Sequence, residues 1–359
     1  MIITRAPGKV IIIGEYAVLE KAPSLVMAVD RFAFVTLEPT EKFSVSAPLI
    51  NVESAGFHIG KSHNIIFDSD VDHVARVRLK FFISVFETTL RYVRKKQKHL
   101  APFRIQSNTD GFFDSEVSEK LGLGSSAALT AAICAAILTA AGLDIASGKM
   151  NIYRLCQEAH HQAQGRVGSG IDIAASVFGG ILYHRMNRMP VRVTNWLSRP
   201  YQESQKNQKK RLYWLPIWSG KPMSTRRMLH NLNKFRDSSA DEYQRRMREL
   251  TRLSEKGCSD FNLQRVTHFL SVAEEYHYAM SRLGKSSRTP IISRPHALLA
   301  KIVKQSGGVY KPSGAGGGDL GLAFADSEEI LFRVEEGVKA EGFHPINLKI
   351  DEPGVCLET

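Results

Sequence analysis

Cysteine is scarce in this sequence: Cys134, Cys156, Cys258 and Cys356 are the four in 359 residues. They lie far apart, none forms a C-x-x-C pair, and Cys134 and Cys156 fall in apolar helical contexts. That usage fits reduced thiols in a cytoplasmic protein rather than a disulfide framework. No apolar run approaches the ~20 residues that span a bilayer. The opening Met1-Ile2-Ile3-Thr4-Arg5-Ala6-Pro7 reads as a strand and lacks the basic-then-apolar order of a secretory leader. Internal repeats and low-complexity tracts are missing. So is the G-x-S-x-G elbow of acyl-transfer enzymes. A P-loop fails as well: Gly60-Lys61-Ser62 resembles its end, but Ala55 stands where the first glycine is required.

What remains is a chain of ordinary globular composition, 43% hydrophobic and 23% charged, whose length predicts two domains. Its net charge is +12, from 48 Lys+Arg against 36 Asp+Glu. Such an excess suits polyanionic partners, whether nucleic acid, an acidic membrane surface or small phosphorylated molecules. The charge does not gather into one tail. Part lies in Arg91 to Lys98 at the end of a helical pattern, and part in Lys206 to Arg211, which reads as a loop. Both read as solvated faces. No aromatic-basic motif of the RNA-binding type accompanies them.

The stretch Leu121-Gly122-Leu123-Gly124-Ser125-Ser126-Ala127-Ala128 organises the rest. Two glycines and two serines precede a small-residue apolar run, Ala127 to Ala141, that reads as a buried helix. A Gly-Ser loop feeding a helix start leaves backbone N–H groups unpaired, and the helix dipole adds positive potential there. This describes an anion site as well as it describes an ordinary capped core helix. Gly122 to Ala127 formally fits a G-x-G-x-x-A dinucleotide fingerprint. That reading needs a strand before the loop and another after the helix. Ser115 to Lys120 is too charged for the first, and a further helical pattern follows Gly142-Leu143-Asp144.

Two more glycine-rich stretches share this character. Arg166-Val167-Gly168-Ser169-Gly170-Ile171-Asp172 leads into a second small-residue helix. Capping is the ordinary role of an Asp at such a start; the sharper one is to accept or orient a substrate proton. Lys311 to Asp319 holds four glycines in five positions, between apolar flanks, and exposes little but backbone. Near the N-terminus, Lys9 follows a Pro-Gly turn, where a lysine is either an edge gatekeeper or a placed cation. Ser224-Thr225-Arg226-Arg227 opens a further helix with two cations in its first turn, an arrangement that an anion would compensate. Strands are expected at 2–5, 10–13, 102–107, 181–185, 191–196, 211–218, 320–325, 345–350 and 354–357. Helices are expected at 74–94, 149–165, 224–236, 240–256, 261–284 and 295–306.

Ala6-Pro7-Gly8-Lys9 through Gly14-Glu15-Tyr16, Leu121 to Ala128, and Ser313 to Gly318 resemble, in order and spacing, the three motifs of the GHMP kinase superfamily. Within it, Ala159 to Asp172 resembles the A-H-x-x-A-Q-G-K-[VI]-G-S-G-F-D segment of the phosphomevalonate kinase family, with Arg166 for Lys and Ile171 for Phe. Lys311 to Asp319 and Ser219 to Thr225 resemble that family's third motif and its T-G-x-x-A-S-T turn. His161 occupies the place where mevalonate kinases usually carry a magnesium-binding Glu, whereas Gly14-Glu15-Tyr16 is the mevalonate-kinase form of the first motif.

The resemblance implies an α+β, two-domain fold: a ribosomal protein S5 domain 2-like ATP-binding part over 1–190 and a ferredoxin-like part over 191–359. It implies transfer of the ATP γ-phosphoryl group to (R)-5-phosphomevalonate, with mevalonate or another small acceptor as the alternative. Lys9 and Asp172 would be the catalytic pair. Gly122, Leu123, Gly124, Ser125, Ser126 and Ala127 would cradle the nucleotide, and Ser126 would touch Mg2+. Substrate contacts would come from Lys9, Glu15, Tyr16, Ser169, Gly170, Ser224, Thr225, Ser313, Gly314, Ala315 and Gly316. The partner would be a phosphorylated small molecule, with no nucleic acid and no membrane, for a cytoplasmic monomer or homodimer.

Overall fold

The computed structural model describes residues 1–114, 116, 119–164, 168–198 and 211–358. The basic run Lys206–Lys210 and the motif residues Gly165, Arg166 and Val167 lie outside them.

Strands β1 (Ile2–Ile13) and β2 (Ser24–Pro39) form a long antiparallel pair. The two strands expected on either side of Ala6-Pro7-Gly8-Lys9 are one. Its proline is accommodated by a slip in the register with β2 between Pro7 and Gly8, where a ladder hydrogen bond is dispensable. Next come β3 (Phe43–Ala47), β4 (Val52–Ile59) and β5 (Ile65–Phe67), a meander in a stretch to which the sequence assigned no element. The helix expected at 74–94 is two, α1 (His73–Arg78) and α2 (Lys80–Lys95), parted at Leu79 (ψ 6°). Strand β6 (Phe103–Asn108) and the short hairpin β7 (Phe113–Asp114) and β8 (Glu119–Lys120) follow. Helices α3 (Ser125–Ala140), α4 (Lys149–Gln164) and α5 (Ile171–Phe178) then lead to β9 (Ile181–His184) and β10 (Val191–Val193).

Apart from β7 and β8, which pair with each other, these strands make one sheet in the order β10-β9-β2-β6-β3-β4-β5, with β1 on the free side of β2. Helix α3 packs on β1 and β2 and touches α2, α4 and α5. Its alanine content explains how it reaches so many neighbours: small side chains let backbones approach, and Thr4 Oγ1 of β1 donates to the Ala132 carbonyl at 2.8 Å. The far end of the sheet is filled with phenylalanine instead. Phe43 meets Phe103 edge-on at 5.1 Å between centroids, and Phe57 meets Phe86 at 5.2 Å, fastening β3, β4 and β6 to α2.

The second half adds β11 (Leu197–Ser198), β12 (Leu212–Trp218), and helices α6 (Thr225–Ser238), α7 (Ala240–Asn262), α8 (Val266–Ser286) and α9 (Arg294–Gln305). Then come β13 (Val309–Pro312), β14 (Leu320–Ala325), α10 (Glu328–Ala340), β15 (His344–Pro345) and β16 (Cys356–Leu357). The sequence reading did not anticipate α10. Strands β15, β12, β14 and β13 lie side by side and antiparallel. That is the 4-1-3-2 order of a split βαβ, ferredoxin-like unit. The chain changes sheet between Val193 and Leu197, and β16 returns to pair with β1 at Thr4 and Arg5. Residues 356–357 thus belong to the first sheet, although a division at 190/191 assigns them to the second half. Among the described residues no helix is long and apolar enough to cross a membrane.

Three histidines, His184, His277 and His296, are buried by the packing of both halves, and burial lowers each to about 4. The unfolded chain protonates such groups near ~6.5, so the stability they leave intact above that pH is lost as the pH falls toward 4. We expect the urea midpoint to drop markedly between pH 7.5 and pH 5, by on the order of 2 kcal/mol per histidine. Equal midpoints at the two pH values would show that these imidazoles are solvated.

Candidate active site

The three glycine-rich stretches converge. Gly8 of β1 lies so close to the second stretch that a Cβ there would come within 2.9 Å of the Leu123 carbonyl oxygen. The next residue's backbone, Lys9 N–H, donates to that carbonyl at 2.8 Å. This contact places the Lys9 side chain beside Gly124: a Cβ built there would lie 3.3 Å from Lys9 Cγ and 3.7 Å from Asp172 Cβ. Lys9 Nζ donates to the Gly122 carbonyl at 3.3 Å. The lysine keeps some exposure to the cavity, but protein atoms crowd its ammonium. That desolvation lowers its pKa against the opposing pull of Asp172, Asp319 and Glu15.

A cavity of about 500 Å³ opens here, within the range of small-molecule sites. The stretch Leu121 to Ala128 contributes Gly122, Gly124, Ser125 and Ser126 to its wall, and the start of α5 contributes Ser169, Gly170 and Asp172. Helices α3 and α5 both begin at glycines in the left-handed region, Gly124 (φ 79°) and Gly170 (φ 72°), with no side-chain cap. At α3 the first N–H groups therefore remain for a ligand, with the helix dipole behind them, whereas at α5 Ile171 N–H donates to Ser169 Oγ at 3.4 Å and Ile173 N–H to Asp172 Oδ1 at 3.0 Å. Thr225 and Arg226 bring the start of a third helix, α6, into the same wall. There Ser224 serves as the cap, its hydroxyl accepting from Arg227 N–H at 3.4 Å. Glu15, Tyr16, Gly314 and Ala315 complete the predicted residues that line the cavity.

Other predicted residues sit behind that wall. Leu123 and Ala127 are buried. Ser313 is tied to β1, its Oγ accepting from Ile11 N–H at 2.9 Å and donating to the Ile11 carbonyl at 3.1 Å. Gly316 (φ 70°) rests against the Ile291 carbonyl. Glu15 is not open to a ligand through both oxygens: one accepts from the buried Lys311 ammonium, and the other is buried with no protein partner.

Sequence reasoning overlooked several groups in this wall. Lys120, at the end of β8, faces the cavity. Burial lowers its pKa, and Asp319 opposes that shift. Asp319, in the left-handed region (φ 55°), accepts from Met223 N–H at 3.1 Å and sits where any Gly122 side chain would be. Desolvation raises its pKa, resisted by the Met223 N–H, Lys9 and Lys120. His160 reaches Ser126, with 3.4 Å between Nε2 and Oγ, and burial lowers its pKa. The motif containing Asp319 was the available signal; nothing in sequence spacing pairs it with Lys120.

Against this geometry, residues 84–180 match the family of GHMP kinases N terminal domains. The chain carries a GHMP kinase N-terminal domain. Over 344 residues it is 27% identical to a phosphomevalonate kinase of a Streptomyces species, covering 91% of this chain and 90% of that protein. It is 23% identical over 373 residues to a mevalonate kinase of Thermococcus sibiricus, covering 99% and 98%. Its fold superposes on Streptococcus pneumoniae phosphomevalonate kinase, solved with phosphomevalonate and AMPPNP, at a TM-score of 0.77 with 15% identity over 98% of this chain and 100% of that one. This GHMP kinase therefore has the mixed α/β architecture of that family, and its similarity spans relatives of both names.

Gly122→Ala should be severe. Its Cβ would lie 2.3 Å from the Asp319 side chain, at a positive φ. We expect the affinity for an ATP analogue to fall by at least about tenfold, equivalent to ~1.4 kcal/mol. Titration calorimetry on the folded variant checks it, and unchanged affinity would mean that the loop does not carry the nucleotide.

Proposed function

We propose that this GHMP kinase transfers the γ-phosphoryl group of ATP to the phosphate of (R)-5-phosphomevalonate, giving 5-diphosphomevalonate. An acceptor phosphate oxygen attacks the γ-phosphorus, the bond from that phosphorus to the β–γ bridging oxygen breaks, and ADP departs. The observation that carries this reading is the wall of the cavity: Lys120 and Arg226 stand in it besides Lys9, with three helix starts. Phosphoryl transfer relies chiefly on positioning and charge stabilisation, and two polyanions brought together need more cationic surface than one.

Gly124, Ser125 and Ser126 hold the triphosphate through the start of α3, and Lys9 neutralises charge between donor and acceptor. Among the described residues, no three His, Cys, Asp or Glu side chains cluster to hold a metal. The donors present, the Ser126 hydroxyl and the Asp172 carboxylate, fit an Mg2+ that arrives on nucleotide phosphates and keeps water ligands. Such an ion would supply charge neutralisation to the nucleotide phosphates. A phosphomonoester with pKa near ~6 is mostly dianionic at neutral pH. Asp172 therefore orients Lys9 and the acceptor rather than removing a proton. The substrate contacts are Glu15, Tyr16, Ser169, Gly170, Ser224, Thr225, Ser313, Gly314, Ala315 and Gly316, some through the backbone or through the wall they support. We further propose the domain division 1–190 and 191–359, and a cytoplasmic monomer or homodimer acting on small molecules.

A second reading, mevalonate kinase, is supported by the Gly14-Glu15-Tyr16 form of the first motif and by relatives of that name. Magnesium-dependent ADP release with each acceptor separates the two. Turnover with 5-phosphomevalonate alone is the expected result; turnover with mevalonate alone overturns the substrate assignment and keeps the nucleotide site. Asp172→Asn should then retain measurable turnover, reduced by about 10- to 100-fold. Loss below detection in single-turnover assays of folded protein would make Asp172 a proton acceptor instead.

A further inference from the structure

Glu15, Tyr16 and Ala17 form a γ-turn of the rare hand. Tyr16 has φ 62° and ψ −49°, and Ala17 N–H donates to the Glu15 carbonyl at 2.6 Å. This conformation is strained for a residue with a Cβ and persists only where its surroundings over-determine it. Here they do so from three separate elements of the second half. Tyr276 of α8 donates its hydroxyl to the same Glu15 carbonyl at 2.7 Å. Lys311 of β13 donates its ammonium to Glu15 Oε1 and, at 2.8 Å, to the Pro312 carbonyl. The third glycine-rich stretch adds Gly314 N–H, 3.4 Å from Glu15 Oε1, and the Ala315 carbonyl, which accepts from the Tyr16 hydroxyl.

The Lys311 and Glu15 side chains are 0% and 1% exposed. A buried ion pair is a poor source of stability, because desolvation consumes most of the attraction, so its persistence calls for another explanation. The explanation on the page is register. Glu15 stands six residues after Lys9 on the continuation of β1, and its carboxylate reaches the loop of the second half whose Gly314 and Ala315 line the cavity.

We propose that Glu15 and Lys311 are a positioning pair: they hold the strained turn and the loop Ser313–Gly318 in one register, and thereby set the acceptor side of the cavity relative to Lys9. The proposal deepens the kinase reading above, and its test keeps the two apart.

The experiment compares wild type with the double variant Glu15→Gln/Lys311→Met, which removes both buried charges together and leaves neither stranded. Expected are a thermal midpoint near that of wild type, ATP-analogue affinity within twofold, acceptor KM raised at least tenfold, and at least tenfold faster amide exchange in the peptide spanning 313–318, with α3 still protected. Unchanged acceptor KM and unchanged exchange in the folded double variant would overturn the pair as a positioning device, as would recovery of stability and activity together. If the double variant does not fold, Tyr276→Phe decides. It frees one anchor of the turn without burying a charge, and should raise exchange at 313–318 at least threefold; no change overturns the proposal. Exchange is read without turnover, so a wild-type enzyme inert toward 5-phosphomevalonate would overturn the function reading and leave this one to be judged by the loop.

Discussion

Backbone N–H groups at a helix start need a partner, and three helix starts in this chain face one cavity. The rest of the site is subordinate to that fact. At α3 and α5 the residue before the helix is a glycine with positive φ that supplies no side-chain cap, and at α5 the neighbouring Ser169 and Asp172 side chains accept from Ile171 and Ile173 N–H instead. At α6 a serine does fold back. The difference divides the labour. The start of α3 offers the Ser125 and Ser126 N–H groups, that of α5 an end partly satisfied by Ser169 and Asp172, and that of α6 the cationic Arg226 on an end likewise partly satisfied. An apolar group in this cavity would leave the free N–H groups unpaired, and a neutral carbonyl could accept from them but would bring no net charge to the helix dipoles. Phosphate oxygens compensate them without any rearrangement of the fold.

The same constraint governs Lys9. Its ammonium is drawn into a crowded position where the charged form is disfavoured, and three carboxylates, on Asp172, Asp319 and Glu15, act electrostatically to keep it charged. Among the described residues none of them forms an ion pair with it; its one hydrogen bond is to the Gly122 carbonyl. A lysine locked in a short ion pair would have to break that pair to meet a phosphate. A lysine with its carboxylates at a distance has no such pair to break, and they oppose the loss of its charge. Glu15 is spoken for by Lys311, and Asp319 by Met223 N–H. These engagements keep both carboxylates from collapsing onto Lys9.

Much of this was legible in the sequence wherever a local rule demanded a particular residue. Gly122, Gly124, Gly170 and Gly314 all adopt positive φ, which glycine alone reaches without strain. The alanine run of α3 likewise declared a helix that could be buried on all sides. The missing parts were those fixed by tertiary partners. Glu15 and Lys311 stand 296 residues apart, in the first and third motifs, and no spacing pairs them. Lys120 lies two residues before Gly122, in a stretch too charged to be a core strand, and its place in the wall depends on the β7–β8 hairpin. Residues 43–67 were not recognised as strands because Pro48, Gly56 and Gly60 interrupt the alternation. The break at Leu79 escaped notice because the apolar period continues across it while the backbone does not.

A single strand finally explains why loops so distant in sequence meet with such economy. Pro7 forces a slip in the β1–β2 ladder, and Ser176 of α5 donates to the Pro7 carbonyl at 2.8 Å, which anchors the helix that carries Asp172 in its first turn. One residue on, Gly8 admits the second loop to backbone distance; Lys9 follows with its N–H on Leu123. Two residues further, Ile11 takes both hydrogen bonds of Ser313 and so receives the third loop. Each contact uses a different backbone position of β1. A shift of this strand by one residue would therefore misplace all three loops together, and the irregular register at Pro7 is what makes their common meeting point possible.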